Sequence, residues 1–213
     1  MAISIVLFDL GNVLTTWDVG PRVAEYARRS GLSPARVLER LSRDDFWVNT
    51  DRGFLSADEM ETRICGLLDC HFSREELLAL QAIAFELRPE VLDIARAVAT
   101  RKPVGILTNN APFLQEAMPR FFPELVELFD PILYSFQFKH VKPERELFEA
   151  VEDQLGLPGE EIHFIDDTQG HVAAARAAGW DAVQYLSTTQ LRNALAERGL
   201  LDEGVRSGPG GPG

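Results

Sequence analysis

Four groups of residues in this 213-residue chain could do chemistry together. Asp9 follows the apolar run "ISIVLF" (3–8), and Thr108, Asn109 and Asn110 follow "PVGIL" (103–107). Lys142 stands before Pro143, and Asp166 with Asp167 closes "EIHFIDD" (161–167). A carboxylate, a hydroxyl beside amides, an ammonium and an acidic pair are the parts that phosphoryl transfer needs. Asp9 supplies a nucleophile already ionised at neutral pH. Asp167, with Asp9 and the main-chain carbonyl of Gly11, offers the hard oxygen ligands that magnesium prefers. A metal there offsets the repulsion between Asp9 and an anionic phosphate. Thr108 and the N–H of Asn109 can donate to the phosphate oxygens, while Lys142 brings a flexible point charge to them and restrains Asp9. Asp166, the other half of the acidic pair, is better suited to supporting the metal shell or Lys142 than to binding the ion directly. Asn12 is a further phosphate-binding candidate; it and Asn110 could instead satisfy backbone groups in a turn.

The elements that must position these groups are legible as a repeating pattern. "ISIVLF", "PVGILTNN" (103–110), "DPILYSF" (130–136), "EIHFIDD" and "DAVQYL" (181–186) are apolar runs rich in β-branched residues, most of them ending in polar residues and followed by helical periodicity. Alternating strands and helices predict an α/β core with a doubly wound parallel sheet. Ligands in such sheets bind beyond the carboxyl ends of the strands, where all four groups fall. Between the first two strands, residues 17–88 read as nearly all helical. Ser33-Pro34 is a helix start, and Ser56 with Glu59 and Ser73 with Glu76 fit capping boxes. The expected organisation is a core from residues 1–16 and 89–206, a helical cap from 17–88, and a disordered Gly/Pro-rich tail, 207–213. Trp17, Phe46 and Trp47 could line a chamber under the cap, although aromatics in small helical domains are more often core.

Composition narrows the partners. The net charge is −12, from 33 acidic and 21 basic residues, with no Lys/Arg run dense enough to follow a nucleic-acid backbone. No apolar run approaches the roughly 18 residues that cross a bilayer, and the N-terminus has no secretory pattern, so a cytoplasmic protein is expected. Cys65 and Cys70 match neither a redox nor a zinc spacing and read as reduced, partly buried thiols. His163, inside a strand, reads as a core or sheet-face residue rather than a ligand. The expected ligand is a small phosphorylated metabolite. Oligomeric state is open.

"FDLGNVL" (8–14), "LTNN" (107–110), "SFQFKHVKPE" (135–144) and "FIDDTQGHVAAARAAGW" (164–180) resemble, in order and spacing, the four motifs of the haloacid dehalogenase superfamily. The resemblance spans nearly the whole core, with a cap inserted after the first motif. It implies a magnesium-dependent phosphatase with Asp9 as nucleophile, Thr108 and Lys142 on the phosphate, and Asp166 with Asp167 as the metal-binding acidic pair. The "DLGNV" form looks most like the sugar-phosphate branch, with glucose-1-phosphatase-type proteins nearest. One departure matters: Gly11 stands where phosphatases of the superfamily usually carry an aspartate that protonates the leaving alcohol. Such an acid contributes about 10²–10⁴ in rate, so its loss weakens the enzyme reading without cancelling it. Either the leaving group needs little protonation, as in a sugar 1-phosphate, or the acid comes from elsewhere, with Asp18 and His140 as candidates. Lesser departures are Lys139, where many relatives carry glycine, and His171, where many carry asparagine; both are expected to alter local packing only. The alternatives are a metal-independent 2-haloacid dehalogenase and a phosphate-binding protein that has lost turnover.

Overall fold

The computed structural model describes residues 2–202; the predicted tail, 207–213, lies outside the described residues. In chain order the strands are β1 (Ile5–Phe8), β2 (Thr15–Trp17), β3 (Phe85–Leu87), β4 (Val104–Thr108), β5 (Ile132–Tyr134), β6 (Ile162–Asp166) and β7 (Asp181–Gln184). Five form one parallel sheet in the order β5-β4-β1-β6-β7. Strand β1 is central and buried along its whole length, which is why it reads as a continuous apolar run. Its side chains alternate between two cores. Val6 and Phe8 pack with α6 (Pro89–Ala99), α7 (Pro112–Phe121), α8 (Pro123–Leu128) and α12 (Thr188–Glu197). Ile5 and Leu7 pack with α10 (Arg145–Leu155) and α11 (Gln169–Ala177). Helices thus cover both faces, and the sheet is doubly wound as predicted.

Register brings the chemistry to one edge. Phe8 lies opposite Ile106 on β4 and Ile165 on β6, so Asp9 emerges level with Leu107 and Asp166, with Thr108 one residue further on.

The inserted segment holds α1 (Gly20–Ser30), α2 (Pro34–Leu41), α3 (Phe46–Asp51), α4 (Ala57–Leu68) and α5 (Arg74–Ala82). The Ser33 cap and both capping boxes form. The segment is not helical to its ends, however. Strands β2 and β3 pair antiparallel, Thr15 with Leu87 and Trp17 with Phe85, so the two chain crossings between core and cap satisfy each other's backbone groups as a ribbon. Val23, Tyr26, Val37, Phe46, Met60, Ile64 and Phe72 build the cap's own core, which also takes in Ala111 and Phe113 from the start of α7.

Polar ties also hold cap and core together. The Ser135 hydroxyl, at the start of α9 (Ser135–Phe138), donates to the Asp51 carbonyl at 2.6 Å. The Lys139 ammonium reaches the Gly53 carbonyl, and Arg52 pairs with Glu144. Lys139 adopts φ +65°, a left-handed conformation that favours glycine. Its strain, of order 1–2 kcal/mol, accompanies a contact with the cap that glycine could not make. Lys139 therefore does more than alter local packing. Cys65 and Cys70 are free and half-buried.

Candidate active site

Lys142 is the centre of the cluster. It is 3% exposed, and its ammonium lies 2.8 Å from Asp9 Oδ1 and 2.7 Å from Asp166 Oδ2 and donates to the Leu107 carbonyl at 3.1 Å. The Asn109 side chain fixes its backbone: Oδ1 accepts from the Lys142 N–H at 2.8 Å, and Nδ2 donates to the Lys142 carbonyl at 2.9 Å. Asn109 thus positions the lysine through its side chain, a role its sequence position alone did not indicate.

Asp9 is buried and lines a cavity of about 530 Å³. Its Oδ1 accepts from the Leu10 N–H at 2.7 Å as well as from Lys142, leaving Oδ2 without a hydrogen bond among the described residues. Burial pushes the Asp9 carboxyl up, Lys142 opposes this and Asp166 adds to it, with a net rise to about 6. Asp166 also feels burial, but Lys142 and the hydrogen bond from His171 outweigh it and hold its carboxyl down at about 2. Asp166 Oδ1 accepts from the Thr168 N–H at 2.8 Å, and His171 Nδ1 lies 3.1 Å from both its oxygens. His171 is therefore a partner of the acidic pair rather than a packing substitution. Lys142 stays firmly protonated, because its two carboxylates outweigh the burial that would lower it.

Thr108 is buried, and its hydroxyl oxygen accepts from Asn110 Nδ2 at 2.7 Å. Such a hydroxyl keeps its own proton free for a ligand. Asn110, read from sequence as a possible turn residue, orients Thr108, and its N–H donates to Ser135 Oγ at 3.1 Å. Asn12 lies at φ +59°, and its Nδ2 donates to Asp167 Oδ2 at 3.3 Å. Asp9, Gly11, Asn12, Thr108, Asn109, Lys142 and Asp167 all line the one cavity.

The donor set fits a hard divalent cation. Ligand atoms of Asp9, Asp166 and His171 lie within 4.8 Å of one another, and Asp167 adds a carboxylate on the cavity wall. The oxygens of Asp166 already serve Lys142, Thr168 and His171. Asp9 Oδ2 accepts no hydrogen bond among the described residues, and the Asp167 oxygens accept only long ones, at 3.3 Å each, from Asn12 and Thr168; these hard oxygens are the kind that magnesium prefers.

Asp18 and His140, the candidates for the missing acid, do not line the cavity. Asp18 Oδ1 accepts from the Gly20 N–H at 2.8 Å, and His140 faces Glu144 at 3.3 Å. His163 is wholly buried in β6, with Nδ1 2.9 Å from Asp181. Phe46 is in the cap core, but Trp17 and Trp47 line the cavity, contrary to the more common core placement of such aromatics. The cap adds residues that sequence reading missed: Arg22, Asp51 and Gln81. Burial pushes the Asp51 carboxyl up to about 7 against the opposing effect of Arg22. Arg22 had a visible signal. It falls four residues before Tyr26, inside the apolar stripe of α1, where a solvated arginine is out of place.

Residues 3–179 match the family described as haloacid dehalogenase-like hydrolase. Phosphatase MT3486 of Mycobacterium tuberculosis is 30% identical, over 92% of this chain and 93% of its own length. D-ribitol-5-phosphate phosphatase of Bacteroides thetaiotaomicron is 26% identical, over 84% and 90%. A crystal structure of the HAD family enzyme bt-2542 from that organism, in complex with magnesium and inorganic phosphate, superposes with a TM-score of 0.76 at 22% identity, covering 87% of this chain and 95% of that one. Sequence match, sheet order and inserted cap agree: the chain belongs to the haloacid dehalogenase-like hydrolase family.

Proposed function

We propose that the protein is a magnesium-dependent phosphatase of a small phosphate monoester, working through an aspartyl phosphate on Asp9. The observation that carries this reading is the Asp9 carboxylate clamped on one oxygen by Lys142 and the Leu10 N–H, with its other oxygen free of hydrogen bonds among the described residues and the residue lining the cavity. That free oxygen attacks phosphorus; an O–P bond forms, and the bond from phosphorus to the leaving oxygen breaks. Thr108 and Lys142 donate to the phosphate oxygens as charge builds on them. Water then attacks phosphorus, releasing phosphate and restoring the carboxylate. Asp9, Asp167 and the Gly11 carbonyl, with Asp166 supporting them, would hold magnesium, which would supply positive charge to offset the repulsion between carboxylate and phosphate. With Gly11 in place of an acid, the leaving groups favoured are those that need little protonation. The named relatives, one of them a phosphatase of a polyol phosphate, support a sugar-phosphate-sized substrate.

Gly11 also favours a second reading, a 2-haloacid dehalogenase, which needs no metal. A phosphate-release screen over sugar phosphates, nucleotides, phosphoamino acids and pyridoxal phosphate, with magnesium or EDTA, separates the two. Phosphate release that stops with EDTA and with Asp9→Asn is expected. Halide release unaffected by EDTA would favour the dehalogenase, and phosphate release by Asp9→Asn at the wild-type rate would sink the mechanism.

A further inference from the structure

The cap wall of the cavity carries a cation that the reaction at Asp9 does not use. Arg22, on α1, lines the cavity and is only 5% exposed. Its Nη1 donates to the neutral Gln81 Oε1 on α5. Its Nε is buried with no hydrogen-bond partner, and its Nη2 makes no hydrogen bond among the described residues. Asp51 is near enough to feel the charge of Arg22, but no carboxylate comes within 4.0 Å of the guanidinium among the described residues. The Trp47 ring, 5.2 Å from the guanidinium carbon, fills one side. Arginine stays charged even when buried, so a guanidinium hydrogen-bonded only to a neutral amide, with Asp51 acting on it through space alone, is a cost to the fold unless an anion arrives.

We propose that Arg22 is the subsite for a carboxylate at the far end of the substrate, so that the preferred ester is a phosphorylated hydroxy acid. The proposal rests on the phosphatase reading and names its substrate class. Shape favours it, because a guanidinium fork matches the two oxygens of a carboxylate. Charge favours a carboxylate over a second phosphate. One guanidinium offsets one negative charge, and Asp9, Asp51 and Asp167 on the same walls would repel a further dianion. Trp17 and Trp47 provide apolar walls for the carbon chain between the two ends.

Glycerol 3-phosphate and 3-phosphoglycerate form a matched pair, with one skeleton ending in an alcohol or in a carboxylate. Their affinities for the Asp9→Asn protein in magnesium, read by calorimetry, report selectivity whether or not the enzyme turns over. A hydrogen-bonded charge pair corresponds to a preference for the acid of about 10- to 100-fold. Adding Arg22→Met should bring the ratio to within about twofold of unity, and Arg22→Lys should keep part of it. Equal or weaker binding of the acid, failure of the acid to bind, or a preference that survives Arg22→Met overturns the proposal. If Arg22→Met does not fold, the ratio in the Asp9→Asn protein and its fall with Arg22→Lys decide. Phosphate release from p-nitrophenyl phosphate by the wild type is a separate arm. Its absence counts against the phosphatase reading and leaves the binding result standing.

Discussion

Replacing Asp9, the proposed nucleophile, should make the metal-free protein more stable. A carboxyl whose pKa rises from an ordinary 3.8 to about 6 on folding opposes folding, when ionised, by up to about 3 kcal/mol at roughly 1.4 kcal/mol per tenfold change in proton affinity. Asp9→Asn removes that charge and its repulsion of Asp166, while Asn Oδ1 can still accept from Leu10 and Lys142. Lys142 loses one of its two counterions but keeps Asp166 at 2.7 Å, which offsets part of the gain. The net stabilisation at pH 7.5 is about 1–3 kcal/mol. Its pH dependence has a fixed sign. Between about 6 and 3.8 the native wild type binds more protons than the unfolded chain, so its stability rises as pH falls through that window and the advantage of the variant disappears. Urea denaturation in EDTA at pH 7.5 and pH 4.5 measures both quantities. A variant no more stable than wild type at pH 7.5, or an advantage that grows on acidification, would refute the reasoning. If the proposed function holds, magnesium should narrow the gap at pH 7.5, because it would bind the native wild type through the carboxylate that the variant lacks.

Further outcomes follow from the same contacts. Lys142→Met strands two buried carboxylates and should lower stability by about 3–5 kcal/mol at neutral pH, measured by denaturation, and abolish phosphate release. His163 is held below its ordinary pKa of 6.5 by burial, against the pull of Asp181; the unfolded chain takes up its proton first, so this group costs stability as pH falls below 6.5. The stability gap between His163→Gln and wild type should accordingly shrink from pH 7.5 to pH 5, and a constant gap would exclude a neutral buried imidazole. Gly53, at φ +64°, would place a new Cβ against the Phe136 carbonyl. Gly53→Ala should therefore lower the melting midpoint by the equivalent of more than about 1 kcal/mol and raise KM as the cap tie through Lys139 loosens.

The core was legible because its signals are long and repeated. Each of β1, β4 and β6 is an apolar run that stops at a polar residue of the candidate site, and the sheet rule then gathers Asp9, Thr108, Lys142 and the acidic pair at one edge. The ribbon of β2 and β3 was not legible. "TTW" and "FEL" are three residues each, too short for an alternation, and pairing across some 70 residues leaves no local trace. The cap helices were identifiable from their caps, but which faces point inward depends on how α1, α3 and α5 pack, so Asp51 and Gln81 emerged only with the fold, and Arg22 was marked only by its place inside the apolar stripe of α1. His171 and Lys139 show the same limit. As sequence they are substitutions; as structure one braces Asp166 and the other reaches the cap.

The central claim is that the phosphoryl group passes through Asp9, and chemical trapping tests it most directly. Enzyme turning over a phosphate ester in magnesium is quenched, treated with borohydride to reduce any acyl phosphate, and mapped by peptide mass spectrometry. Homoserine should stand at position 9, and only when substrate and magnesium are both present. Homoserine at a different acidic residue, or turnover by Asp9→Asn at the wild-type rate, would contradict the account.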